Sequence, residues 1–235
     1  MTTLTRKQRE IHDREQQILT LSRSILSAEG FQALSMDRLA AEMQYAKGTL
    51  YNHFPNKEEI VAALAVESLE VRRRMMEHAS ILADRSRLKM MAIGSACEMY
   101  ATQFSQHFAM ELMLRDAVIW NKSSERRQSL VKNCELRCMS IVAGVVRDAV
   151  ASADLKLPDG LSAEEFVFGF WSLTFGSHVL ASSTSLTEVG IADAKRSIRF
   201  HGWTLMNGYN WNDLISFEDA HLEMDGFADR IIDFV

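Results

Sequence analysis

The chain has 235 residues, 47% hydrophobic and 24% charged, the balance of a soluble protein able to bury a sizeable core. With only two prolines, Pro55 and Pro158, and eleven glycines, it has few helix breakers, which points to an all-α fold with helices of several turns. A net charge of −5 excludes a surface that coats nucleic acid or membrane as a whole.

The charge is unevenly spread. Residues 1–57 carry eight Lys/Arg and six Asp/Glu, whereas residues 58–235 carry 18 and 25, so a mildly positive head precedes an acidic body. The opening segment MTTLTRKQREIHDREQQ has no apolar signal core. The most apolar stretch, 166–181, is interrupted by Ser172, Thr174, Ser177 and His178 and is shorter than the ~20 residues a bilayer requires. A cytoplasmic protein with no membrane partner is expected.

In chain order, a first helix is predicted from Arg6 to Glu29, with Ile18, Leu21, Ile25 and Leu26 on one face and Gly30 as its stop. Ser35 caps a second, Met36 to Met43, and a break at Gln44-Tyr45 leads to a third from Ala46 to Phe54. Pro55 ends that helix, and Asn56 caps a fourth from Lys57 to about residue 83, acidic in its first turn. Further helices are predicted around 86–108, 110–119 and 124–152. Pro158-Asp159-Gly160 marks a loop, and Ser162 with Glu165 forms a capping box opening a helix over 163–182. Helices over about 190–208 and 217–235 complete the chain.

Two short helices joined by a tight turn under a longer one make a helix-turn-helix, the second helix being the one that enters a DNA groove. At about 100° per residue, Ala46, Leu50 and Phe54 face the core while Gly48 and Asn52 point away. Gly48 lets the helix sit close to the groove, and the Thr49 and Tyr51 hydroxyls flank it where phosphates run. Lys47 reaches a guanine edge or a phosphate. Lys57 adds a cation at the next helix start. His53 projects nearer the buried side, where a phosphate contact and a local structural bond both fit.

Residues 18–64, and above all the string Gly48-Thr49-Leu50-Tyr51-Asn52-His53-Phe54 followed by Asn56-Lys57-Glu58-Glu59, resemble the DNA-binding domain of TetR-family regulators. The resemblance implies an N-terminal three-helix DNA-binding domain, residues 1–56, followed by a helical ligand-binding and dimerisation domain, 57–235. It implies a transcriptional regulator, repression being the commoner outcome. DNA contacts fall to Lys47, Gly48, Thr49, Tyr51, Asn52, His53 and Lys57. The partners are double-stranded operator DNA, a second copy of the chain and a small effector. Two departures stand out: the family usually has Gly in the turn where this chain has Gln44, and often Ser or Thr where it has Ala46.

Paired recognition helices about 34–36 Å apart require a homodimer. Its expected seam lies near 163–182 and 190–208, where Gly169, Ser172, Gly176 and Ser183, then Ile191, Ala194, Ile198, Gly202 and Leu205, form stripes that let helices approach. Residues 75–120 are rich in Met and aromatics, which suits an apolar or amphipathic effector and equally suits plain core. Met91, Met99, Phe104, Phe108, Met113, Trp120, Phe175 and His178 are the candidate ligand contacts, with His107, Glu98 and Glu111 as further polar ones.

The competing class is an enzyme handling lipids or isoprenoids. The sequence offers no nucleophile with base and orienter, no DDxxD metal cluster and no phosphate loop, so neither catalytic residues nor a cofactor are expected. Cys134 and Cys138, one turn apart, lack a completing His or acidic set, and core thiols rather than a metal site are expected. A DNA-binding protein without an effector is the other alternative. Ligand-dependent melting separates it from a regulated one.

Overall fold

The computed structural model describes residues 5–234. Residues 1–4, at the start of the opening segment, and residue 235, the end of the expected terminal helix, lie outside the described residues. Eleven α-helices, and no strand, occur among the described residues: α1 (Arg6–Glu29), α2 (Met36–Glu42), α3 (Lys47–His53), α4 (Lys57–Ala79), α5 (Ser86–Thr102), α6 (Ser105–Met113), α7 (Ala117–Lys122), α8 (Glu125–Ala151), α9 (Ala163–Ser183), α10 (Ala194–Gly208) and α11 (Phe217–Ile232). Packing divides them into two compact units. One runs up to Glu70 and includes Ser105–Cys134; the other comprises Val71–Phe104 and the chain from Glu135 onward. These units record packing, whereas the expected division at 56/57 is one of function.

Local signals set most helix ends. Thr5 and Gln8 form a capping box at the start of α1, and Gly30 ends it at φ 79°. The Ser35 side chain accepts from Arg38 N at 3.2 Å, and Asn56 Oδ1 accepts from Glu59 N at 2.7 Å to open α4. Ser162 and Glu165 cap α9 reciprocally, as their spacing predicts.

Elsewhere the structure corrects the sequence expectation. The helix expected over 86–108 stops at Thr102, and α6 and α7 replace the one expected over 110–119. Asp116 starts α7 by accepting from Val118 N at 2.7 Å. Helix α4 ends at Ala79 instead of near 83, and α10 begins at Ala194 behind an Asp193 cap instead of near 190.

In the first unit, Ile18, Leu19, Ile25 and Leu26 of α1, Leu39 and Ala40 of α2, Leu50 of α3 and Ile60, Val61 and Leu64 of α4 form one buried cluster, which Met110, Ile119 and Val131 extend. Between α2 and α3 the turn is made by Gln44 at φ 55°, a left-handed conformation that costs a non-Gly residue about 1 kcal/mol.

In the second unit, Met90, Met91, Ile93, Met99, Phe166, Phe170, Met206, Phe227 and Ile231 are buried. Trp211, fully buried, donates from Nε1 to Ser86 Oγ at 2.9 Å and packs edge-on to Phe166. Buried Arg199 of α10 holds Glu98 of α5 through two bonds of 2.8 Å and Asp225 of α11 at 2.9 Å, and it also donates to His221 O at 3.0 Å. Burial works against its charge, but these carboxylates keep the guanidinium more firmly protonated than in water.

Two stability changes are expected. Arg199→Ala removes the two short bonds that hold buried Glu98, leaving it the more distant Lys195 at 3.8 Å, and lowers unfolding free energy by about 3 kcal/mol, while Arg196→Ala, which breaks the exposed pair with Glu218, costs about 1 kcal/mol or less. Urea denaturation of both variants checks the contrast. Gln44→Gly, by relieving the left-handed turn, raises stability by about 0.5 kcal/mol net of glycine's entropy, read as a higher urea midpoint.

Candidate nucleic-acid interface

Helix α3 has seven residues, too few to persist unaided, and it is pinned from below by Leu50 at 0% and Phe54 at 2% exposure. Opposite these anchors Lys47, Gly48, Tyr51 and Asn52 are exposed, with Thr49 and His53 half-buried on the flanks. Ala46, expected beside Leu50 and Phe54 in the core, is exposed instead. It is the N-cap, with extended backbone at φ −62° and ψ 138°, so the helical step begins only after it.

Gly48 is not demanded by the fold, since a Cβ there would meet nothing within 4 Å. Its missing side chain therefore keeps the outer face of α3 low. Tyr51 stands 49% exposed beside it. Lys47 Nζ lies 2.8 Å from Asp37 Oδ1, and that bond raises the lysine's pKa. Both side chains are well exposed, so the tie is weak and yields readily to a stronger anion.

The other two candidates carry structural bonds as well. His53, its side chain almost buried, places Nδ1 3.5 Å from Glu15 Oε1 of α1. Lys57 donates from Nζ to Phe31 O at 3.2 Å, with its ammonium 4.1 Å from the Phe31 ring centre. Both ties fasten the recognition segment to α1 and the turn after it.

Sequence reasoning missed the use made of Asn56, Glu58 and Glu59. Glu58 and Glu59 are 5% and 7% exposed, buried for carboxylates. Lys122 Nζ bonds Glu58 at 2.9 Å; burial raises that carboxyl's pKa, but Lys122, a backbone hydrogen bond and the nearby Lys57 together outweigh it and the net direction is down. Glu59 accepts from Ser124 N and Oγ, each at 2.8 Å, and from Arg127 Nε at 3.2 Å. Asn56 Nδ2 donates to Lys122 O at 3.3 Å. The start of α4 is thus clamped to the α7–α8 junction. The burial of two consecutive glutamates has no local signature beyond their place in a first turn.

The eight candidate ligand contacts divide between the two packing units. Phe108, Met113 and Trp120 lie in the first, where Met113 and Trp120 pack partly buried against the helix-turn-helix core. Met91, Met99, Phe104, Phe175 and His178 lie in the second, with Met91 and Met99 at 2% exposure. Burial pushes the His178 pKa down, against the pull of Glu98. Of the other polar candidates, Glu98 is held by Arg199, His107 Nδ1 lies 3.0 Å from Ser68 Oγ, and Glu111 lies 3.6 Å from Arg115. Cys134 and Cys138 are buried, and the Cys134 thiol donates to Glu70 at 2.9 Å.

Residues 18–64 match the sequence model of the bacterial regulatory proteins, tetR family. No curated protein sequence matches the chain. Among solved structures, a bacterial regulatory protein in the tetR family from Rhodococcus RHA1 shares the fold with a TM-score of 0.64 at 14% identity, over 85% of this chain and 98% of that one. The TetR-family transcriptional regulator PfmR from Thermus thermophilus gives 0.55 at 15% identity, over 90% and 97%. SmeT, in complex with triclosan, gives 0.62 at 16%, over 86% and 94%. No helix among the described residues is long and apolar enough to cross a membrane. Residues 18–64 thus match the DNA-binding segment of the bacterial regulatory proteins of the tetR family, and the chain as a whole shares the fold of solved proteins described as members of that family.

Proposed function

We propose that this chain is a TetR-type transcriptional regulator and not an enzyme, that it represses transcription in the cytoplasm by binding a palindromic operator as a homodimer, and that a small apolar or amphipathic effector releases it. The observation that carries the reading is the two-sidedness of α3: Leu50 and Phe54 are sunk in the core while Lys47, Gly48, Tyr51 and Asn52 face outward. In this reading residues 1–56 engage DNA and 57–235 bind effector and partner. Gly48 and Asn52 approach base edges, Lys47 a guanine or phosphate, and Thr49, Tyr51, His53 and Lys57 the flanking phosphates.

The dimer forms through α9 and α10. Phe168 and Leu180 on α9 and Phe200 on α10 are 59%, 58% and 44% exposed, a concentration of large apolar side chains that association would remove from water. Gly169 and Ser172 are exposed among them, and a Cβ at Gly169 meets nothing within the chain, which leaves room for a close helix from a second copy. For the effector, the Met and aromatic residues Met91, Met99, Phe104 and Phe175 with His178 supply an apolar lining with one polar group, and Phe108, Met113 and Trp120 a second set. That SmeT holds triclosan on this fold supports an effector of that character.

The test uses the DNA flanking the chain's own gene, in a mobility-shift and footprinting series. Tyr51→Ala and Asn52→Ala are each expected to weaken the specific complex about tenfold, roughly 1.4 kcal/mol, with melting temperature unchanged because both residues are exposed. Wild-type affinity in both variants removes α3 as the reading helix. An apolar effector is expected to raise the melting temperature and dissociate the complex; one that does the first without the second is not the inducer.

A further inference from the structure

Of the side chains that α3 exposes, Lys47, Tyr51 and Asn52, the first alone carries a charge, and that charge is answered from the neighbouring helix. Lys47 Nζ lies 2.8 Å from Oδ1 of Asp37, in the first turn of α2, and both side chains are 66% exposed. The pairing is particular to Asp37. Glu42, the other carboxylate of α2, holds Arg38 of its own helix at 2.7 Å, whereas Asp37 reaches across to α3. An acid in a first turn suits the helix dipole whichever way it points, so the dipole accounts for its presence and not for its direction. Lys57, the next lysine in the chain, is placed differently: its ammonium rests on the neutral carbonyl and ring of Phe31.

The bond itself is weak, as exposed ion pairs are, but the carboxylate stays on this surface whatever the lysine does. A phosphate oxygen held by the same ammonium stands only about 4–5 Å from the Asp37 oxygen, given bonds of about 2.8 Å to each. That is well inside the Debye length of about 8 Å, so the two anions repel. A lysine that swings away to a more remote phosphate leaves Asp37 unpaired on a face that approaches a polyanion. A guanine edge carries neither penalty. Its O6 and N7 are neutral acceptors, and a lysine has three donors, of which Asp37 takes one and leaves two.

We infer that Asp37 is a positioning residue for sequence reading, which turns Lys47 away from the phosphate backbone and commits it to a guanine edge in the groove that α3 enters. A carboxylate set against one class of contact is a repulsive device, and such devices raise specificity at some cost in affinity. On unrelated DNA, where phosphate contacts supply the binding, the Lys47–Asp37 pair brings no net charge. At the operator it brings a base contact. The inference rests on the reading of α3 as the DNA-contacting helix and decides between the two contacts which that reading allows Lys47.

The experiment compares the wild-type chain, Asp37→Asn, Lys47→Ala, the double variant Asp37→Asn/Lys47→Ala, and Tyr51→Ala by mobility shift across a salt series. The duplexes are the footprinted fragment flanking the gene, the same fragment with each G·C pair of the footprint changed in turn to A·T, and an unrelated duplex of equal length. Lys47→Ala is expected to lose roughly tenfold discrimination at one G·C pair of each half-site, with an unchanged log–log salt slope, because a base contact neutralises no phosphate. Asp37→Asn keeps the melting temperature, loses part of the same discrimination, and binds the unrelated duplex more tightly, with a slope steeper by about 0.9 for each lysine released to a phosphate. The double variant discriminates no better and no worse than Lys47→Ala. If Lys47→Ala weakens every duplex alike and flattens the slope, or if Asp37→Asn keeps wild-type discrimination and slope, the inference is overturned while α3 remains the reader. A wild-type chain that shifts no flanking fragment, or a Tyr51→Ala chain with wild-type affinity, removes the reading of α3 and the inference together.

Discussion

A helix of seven residues is not stable in water by itself, and α3 has that length without a side-chain cap at Ala46. Its existence therefore depends on Leu50 and Phe54, whose burial against α1, α2 and α4 supplies what local interactions do not. This dependence frees the opposite face. Gly48 costs about 1 kcal/mol of helix propensity relative to alanine, and nothing within the chain requires it. Tyr51 leaves half of a large aromatic side chain in water. Both choices are tolerable because stability is decided on the other side of the helix.

The same dependence makes α3 sensitive to α4. Only Phe54, Pro55 and Asn56 separate them, and the start of α4 is itself fastened by Glu58 and Glu59 to Lys122, Ser124 and Arg127. Carboxylates this buried are expensive to leave unpaired, so separating the start of α4 from the α7–α8 junction is costly. Two glutamates and a three-residue link thus join α7 and the first turn of α8 to α3 by a contiguous chain of charge-assisted bonds.

Where the fold was legible in the sequence, a short-range chemical signal was the reason. Arg6–Glu29 was readable because an apolar stripe runs into Gly30, and α9 because Ser162 and Glu165 cap each other. The break at Gln103-Phe104 carries neither Pro nor Gly, so periodicity continues smoothly across a point where packing ends the helix. Asp116 ahead of an apolar run was a usable cap signal that a single long helix obscured. In the interface, the outward position of Gly48 and Asn52 on α3 followed from a helical wheel anchored on Leu50, which left Tyr51 on a flank and put Ala46 in the core. The double duty of Lys57 and His53 did not, because their partners Phe31 and Glu15 are distant in sequence.

Composition could not separate pocket from core in the body, because a Met-rich, aromatic lining and a Met-rich interior use the same residues. Met91 and Met99 at 2% exposure satisfy either description. The polar groups discriminate better. Glu98 is committed to Arg199 through two bonds and is no anchor for a cationic ligand. His178 is driven toward its neutral form by burial, with Glu98 opposing, and a neutral imidazole offers one donor and one acceptor in place of a charge. For the effector proposed above, this fits an uncharged or amphipathic molecule that exchanges a single hydrogen bond at His178 while burying the rest of its surface.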